Sequence, residues 1–302
     1  MNNDELLLNE FKKAIRRKAH VIDLDDTFTH KFDFVVHRFE EVLKTTGPSI
    51  PPNRWSYYRI ALFKAGSGEF ITGIHKFKTQ KNTLLVIPSR IVTSSKNWAP
   101  DTTGYVVLFN IDFFLQNNFS HKYIEGKRIL HSSIRPYIDL TDKQAAEITV
   151  IFEKILKEKA STHKHKDELI ALKIIELIIV CERFFSEEQF FEDNAPSIDI
   201  IKKFVDLVEI NFIHERSVAF YATQLNVHPN YLNLLVKKHT QLTAKESIQN
   251  RLLLEIKYLL HSTNLTIKEI AHQLGFTDPN YFTVFFKRCE KMSPIQYRSS
   301  FV

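Results

Sequence analysis

Cysteine and methionine occur twice each in 302 residues, and glycine only 7 times. The two cysteines, Cys181 and Cys289, lie far apart and offer no disulfide framework, which fits a reducing cytoplasm. No run approaches the ~18 apolar residues of a membrane span, so no membrane partner is expected. The opening MNNDELLLNEFKKAIRRKAH lacks an apolar stretch followed by a small-residue cleavage site, and is not expected to be a secretory signal. Paired carboxylates, metal-ligand spacing and a nucleophile with its base are also missing, so no catalytic residue, metal or cofactor is expected. The run HKHK (163–166) has no cysteine or carboxylate at ligand spacing and reads as a solvated helix start.

What is present is ordinary globular material, 44% hydrophobic and 25% charged, which excludes disorder. The length suggests two domains. The net charge is +6, and residues 196–302, with 13 Lys/Arg against 9 Asp/Glu, hold +4 of it. That mild excess permits a polyanion partner without demanding one.

Residues 1–50 show no clear period. Arg38 to Lys44 fits strand or helix, and GPSIPP (47–52) reads as a turn or linker. From Trp55 the pattern is strand: YYRIALFK (57–64), EFITGI (69–74), TLLVIP (83–88) and GYVVLFN (104–110), rich in β-branched and aromatic residues with turns between. A small antiparallel sheet folded as a sandwich or barrel is expected. Helical periods follow at 111–119, 141–161 (Thr141 as N-cap) and 166–185. The last is apolar over more than one face, so it is either buried or meets another subunit. SEEQFFEDNAPS (186–197) is acidic and polar. The expected fold is α+β and multidomain: a β-rich domain over 1–140, a helical pair over 141–186 suited to dimerisation, a linker over 187–197 and an all-α domain over 198–302.

The all-α segment repeats itself. SVAFYATQLNVHPNYLNLLVKKHTQLT (217–243) aligns with TIKEIAHQLGFTDPNYFTVFFKRCEKMS (266–293), about 49 residues on, with an amphipathic helix (244–263) between. In the second copy Thr266 and Glu269 form a capping box, and Gly275 stops the first helix in a left-handed conformation. Phe276 plugs the core, Asp278 caps a second helix and Pro279 suits its first turn. This is a helix-turn-helix, a unit whose second helix can lie in a DNA major groove. The spacing turns Tyr281, Phe282, Phe285 and Phe286 inward, and Tyr231 likewise; it leaves Asn280, Thr283, Val284 and Lys287 outward.

These residues carry a family resemblance. From about 198 to 300, a third of the chain, the sequence resembles the DNA-binding domain of AraC/XylS-type transcriptional regulators. The resemblance rests on Arg251, Leu259-Leu260, Thr263, Ile267, Glu269-Ile270-Ala271, Gly275-Phe276, Asp278, Tyr281-Phe282, Phe286-Lys287, Ser293-Pro294 and Tyr297-Arg298. It implies seven helices, two helix-turn-helix units, binding to double-stranded promoter DNA and contact with RNA polymerase. It also implies an N-terminal regulatory domain, often a cupin-like β-barrel with dimerising helices after it. Where many members carry arginine in the reading helices, this chain has Leu234 and Val284; where members have glycine after them, it has Gln241 and Lys291.

The expected recognition helices run over about 229–239 and 279–289. Candidate base contacts are Asn230, Asn233, Leu234, Asn280, Thr283 and Val284, and candidate phosphate contacts are Lys237, Lys238, Lys287 and Arg288. Leucine and valine suit thymine methyls and asparagine suits adenine, so an A/T-leaning site is expected. Arg298 is expected to pair internally, and Lys287-Arg288 to lower the Cys289 pKa. In the β domain, Trp55, Tyr57, Arg59, Phe63 and Phe70 either line an effector pocket or fill the core. Two other readings are a non-specific nucleoid-type DNA-binding protein and a small-molecule enzyme with an accessory helical domain. The modest charge and the polar reading faces disfavour the first; the missing catalytic groups disfavour the second.

Overall fold

The computed structural model describes residues 34–120, 123–124, 126–131, 135–190, 196–240 and 242–300. The first 33 residues of the expected β-rich domain, part of the linker stretch and Gln241 lie outside the described residues.

The strands are β1 (Phe34–Arg38), β2 (Ile50–Arg54), β3 (Tyr58–Ala65), β4 (Glu69–Thr72), β5 (His75–Lys78), β6 (Thr83–Ile87), β7 (Val92–Lys96), β8 (Thr103–Phe109) and β9 (Tyr137–Asp139). They form two sheets, ordered β1-β8-β3-β6-β9 and β2-β7-β4-β5, with every pairing antiparallel. The sheets face one another as a cupin-like barrel. Ala61, Phe63, Leu85 and Val106 of the first meet Phe70 and Phe77 of the second in a shared core with Trp98. The period of two in β3 decides this. Ala61 and Phe63 point between the sheets, while Ile60 and Leu62 point to the other face.

That other face is covered by helices. After α1 (Phe39–Thr46) and α2 (Ile111–Gln116) come α3 (Asp142–Lys159) and α4 (Lys166–Phe190). Thr141 and Gln144 form a capping box at the start of α3. Ile148, Phe152 and Ile155 of α3 and Ile170, Ile174 and Ile178 of α4 are buried against Ile60, Leu62 and Val107. Burial of each such side chain contributes about 1.5–3 kcal/mol. Most of the broad apolar surface of α4 is therefore spent on the sheet, and Leu169 and Leu172 stay exposed with Val150 of α3.

Several expectations are corrected. GPSIPP is not a turn or linker throughout, because β2 begins at Ile50 and contains Pro51 and Pro52. β2 is an edge strand with a register shift between Ile50 and Asn53, where two residues without N–H donors break no ladder. The ambiguous stretch after Arg38 is helix α1. HKFK and VTSSK are the strands β5 and β7, too polar and short for the period to show. The acidic stretch expected to be linker is helical to Phe190, and the next helix, α5 (Pro196–Asn211), starts two residues before the expected boundary.

From α5 on, the described chain is helical: α6 (Val218–Gln224), α7 (Pro229–Thr240), α8 (Ala244–Ser262), α9 (Ile267–Gln273), α10 (Pro279–Glu290) and α11 (Pro294–Ser299). Helix α8 is the central spine, with Ile248, Leu252, Ile256 and Leu260 buried among the others. Ile74 and Val92 of the barrel are buried in this same cluster, so the outer face of the second sheet docks on the helical domain. Arg54 of β2 reaches Glu255 of α8 at 2.6 Å. Among the described residues no helix is long and apolar enough to cross a membrane.

Candidate nucleic-acid interface

The sequence repeat is a structural repeat. Ser217 caps α6 by accepting from the Phe220 amide, and Thr266 caps α9 with Glu269 completing the box. Each first helix ends in a left-handed residue: Asn226 at φ 53 and Gly275 at φ 69. The next amide reaches back in the same way in both, Val227 N–H to Ala222 O at 3.0 Å and Phe276 N–H to Ala271 O at 2.9 Å. These bonds satisfy carbonyls that the helix ends leave open. A Cβ on Gly275 would stand 3.2 Å from Ile213 O, and its positive φ favours glycine regardless.

The second helix of each unit then starts at a proline. Asp278 Oδ1 accepts from the Asn280 amide at 2.8 Å, and His228 Nδ1 takes that place before α7, accepting from the Asn230 amide at 3.3 Å. Equivalent residues anchor both helices: Leu232, Leu235 and Val236 in α7, and Phe282, Phe285 and Phe286 in α10. Phe276 packs edge-on to Phe282 at 5.1 Å. Arg216, in the loop before α6, donates to Leu274 O and stacks on the Phe276 ring at 3.9 Å. It ties the entrance of the first unit to the turn of the second. No local pattern marks it, because its partners lie about 58 residues away.

The opposite faces are open. Leu234 is 66% exposed and Val284, at the equivalent position, 63%. Asn230 and Asn280 are exposed, as are Lys237, Lys238, Lys287 and Arg288 at the helix ends. Asn233 and Thr283 are partly covered and internally engaged. Asn233 Oδ1 accepts from the Ala244 amide at 3.1 Å, and the Thr283 hydroxyl donates to Pro279 O at 3.0 Å. Asn233 Oδ1 thus serves the first amide of α8, which leaves its Nδ2 to face a base edge.

Two further expectations are overturned. Tyr231 and Tyr281 are not core; they are 45% and 58% exposed at matching positions. Each sits one residue before a deeply buried anchor, on the flank of its helix, and a tyrosine there keeps its hydroxyl in water. The Cys289 thiol is raised rather than lowered, because partial burial outweighs the Arg288 charge. As expected, Arg298 pairs internally, donating to Leu260 O and Leu265 O at 3.2 and 2.7 Å. His163, Lys164 and His165 are exposed at the start of α4, and His165 meets Glu168 at 2.8 Å.

In the barrel, Trp55, Arg59, Phe63 and Phe70 line a cavity between the sheets. Tyr57 is buried but does not line it; it precedes β3 and falls outside the alternation that turns Arg59, Ala61 and Phe63 inward.

The paired turns, repeated anchors and open faces define a double helix-turn-helix DNA-binding domain joined to a β-barrel. A family model described as "Helix-turn-helix domain" matches residues 221–300. The chain is 21% identical over 258 residues to the HTH-type transcriptional activator RhaR of Mannheimia succiniciproducens, covering 84% of this chain and 89% of that protein. It is 32% identical over 118 residues to the uncharacterized HTH-type transcriptional regulator YijO of Escherichia coli, 38% of this chain and 40% of that protein. Among solved structures, ToxT from Vibrio cholerae covers 88% of this chain and 98% of its own at 15% identity, with a TM-score of 0.40. Residues 221–300 thus carry a helix-turn-helix domain, and the chain over most of its length is similar to an HTH-type transcriptional activator.

Proposed function

We propose that α7 and α10 are the reading helices of this regulator and enter successive major grooves on one side of promoter DNA. The observation that carries this is their equivalence. Position by position they expose Asn230 and Asn280, Tyr231 and Tyr281, Leu234 and Val284, with basic pairs at the far ends. Leu234 and Val284 meet thymine methyls and Asn230 and Asn280 meet adenine edges, while Lys237, Lys238, Lys287, Arg288 and the two tyrosine hydroxyls hold phosphates. The site leans to A/T.

The barrel is the sensing half, and exposed Val150, Leu169 and Leu172 on α3 and α4 support a homodimer contact. RNA polymerase is the further partner, in the cytoplasm. No chemistry is assigned to the chain.

Selection from a random DNA library at physiological salt tests this. The expected result is an A/T-leaning motif with two half-sites about one helical turn apart, ~34 Å. Replacing the exposed Leu234 and Val284 with Asp should abolish it without unfolding the protein. A protein that enriches no motif, or whose motif survives both replacements, would overturn this assignment.

A further inference from the structure

The two helix-turn-helix units are strung on α8, on which α7 and α9 both pack. With 19 residues at about 1.5 Å each, α8 holds the units apart over ~28 Å. One helix sets a distance, but a twist of one unit about it is resisted only by further contacts. The loop between α5 and α6 supplies such a contact. Arg216 Nη2 donates to Leu274 O and, at 3.4 Å, to Ile213 O, and its guanidinium lies over the Phe276 ring at 3.9 Å. Leu274 is the C-cap residue of α9. The amides of Gly275 and Phe276 turn back to His272 O and Ala271 O, and Arg216 serves a carbonyl that they leave open. A Cβ on Gly275 would stand 3.2 Å from Ile213 O, 3.7 Å from Arg216 Nη2 and 3.8 Å from His214 Nδ1, so the whole loop lies against this turn.

The helix-turn-helix itself does not call for this arginine. Ser217 and Thr266 hold matching N-cap positions, which pairs Arg216 with Leu265 in the second unit. Leu265 is partly buried in the helical core, so an apolar side chain suits the same place in the motif. Arg216 instead answers to the other unit, at the turn that aims α10. Its ring partner Phe276 packs on Phe282 and Phe285 of α10 at 5.1 and 5.8 Å. Burial pulls the Arg216 pKa down, and Tyr281 on the same helix is near enough to offset part of that shift. A bond to the backbone restrains sliding, and a planar stack on a ring restrains rotation.

We propose that Arg216 is a positioning residue that fixes the rotation of α10 relative to α7, and so sets the half-site spacing that the protein accepts on DNA. The proposal rests on the reading of α7 and α10 as the two reading helices. One base pair of added spacing moves a half-site ~3.4 Å along the duplex and turns it by roughly 35°. A clamped pair of helices cannot follow that change, whereas a pair hinged on α8 can.

The test uses full-length protein and the operator recovered by selection. It compares that operator with versions carrying one base pair more or fewer between the half-sites, and with each half-site alone. The unaltered protein should lose about tenfold or more in affinity at either altered spacing. Arg216→Leu, which installs the residue type of the second unit, should cut that loss to about threefold or less. Its affinity for each single half-site should stay within about twofold of the unaltered protein's, a result that a general loss of folding would not give. Arg216→Lys keeps a donor but not the planar stack, and should fall between the two. A spacing loss unchanged in Arg216→Leu overturns the proposal, as does half-site binding weakened as much as binding to the whole operator. Tolerance of both altered spacings by the unaltered protein overturns it without any variant. An operator with one half-site would remove the two-helix reading and this proposal with it, whereas two half-sites with spacing preference indifferent to Arg216 would remove this proposal alone.

Discussion

Arg54 of the barrel and Glu255 of the DNA-binding domain, 201 residues apart in the chain, meet at 2.6–2.7 Å and join the two halves. Glu255 also accepts from Arg251 Nη1 at 3.0 Å, and Arg251 Nε meets Glu209 at 2.8 Å. Arg54 stacks on Tyr258 at 4.9 Å as well. Arg251 is nearly fully buried, so its carboxylates are what make its burial tolerable. Glu255→Gln should therefore cost about 3 kcal/mol, seen as a lower urea midpoint. Arg54, part-exposed, leaves the Arg251–Glu209 pair intact, and Arg54→Ala should cost only about 1 kcal/mol. Equal losses from the two would contradict the assigned hierarchy.

Lys291 ends α10 in the left-handed region at φ 61, where a side chain is strained. Its ammonium donates to Arg288 O at 3.1 Å, an exposed contact of little weight. Lys291→Gly should raise stability by about 1 kcal/mol, read as a higher melting temperature.

Thymine contacts by Val284 and Leu234 have a direct check. In a selected operator, replacing each thymine by deoxyuridine removes only the methyl group. A loss of several-fold is expected at one position per half-site, and it should vanish in Val284→Ala for one half and Leu234→Ala for the other. Uniform tolerance of deoxyuridine would contradict these contacts.

Phosphate contacts are read from salt. Lys237→Ala and Arg288→Ala should each weaken binding to all sequences alike and reduce the slope of log affinity against log salt by about one. A slope left unchanged would make those side chains ordinary solvated groups.

Two buried histidines set an acid limit on stability. Burial lowers His75 and His261 to about 4, with Arg135 adding to the shift at His75. In the unfolded chain each titrates near its ordinary value of about 6.5. The unfolded state then binds protons that the folded state refuses, so stability is full above pH 6.5 and falls as pH drops towards 4. The melting temperature should decline from pH 7 to pH 5, and less steeply in His75→Asn.

Much of the DNA-binding half was legible because its signals are local. A capping box needs residues three apart, a left-handed stop needs one glycine, and helical anchors recur every three to four residues. Thr266 with Glu269, Gly275, Asp278 and Pro279 all took their expected places. The tyrosines failed for a local reason too. Their position on the edge of the apolar stripe does not say whether a neighbouring helix covers them, and none buries Tyr231 or Tyr281. In the barrel, β5 and β7 escaped notice because each draws its order from strands beside it more than from its own apolar content.

The sequence by itself determined the repeated helix-turn-helix, its capped and proline-started reading helices and the β-then-helix order, because these follow from neighbours along the chain. Only the tertiary structure decided that Arg54 clasps Glu255, that Arg216 braces the second turn, that Asn233 Oδ1 meets the first amide of α8, and that Arg59 lines the cavity between the sheets. Those facts depend on which distant groups arrive at the same place. A charge or a donor acquires its role only once burial has removed the water that would otherwise satisfy it.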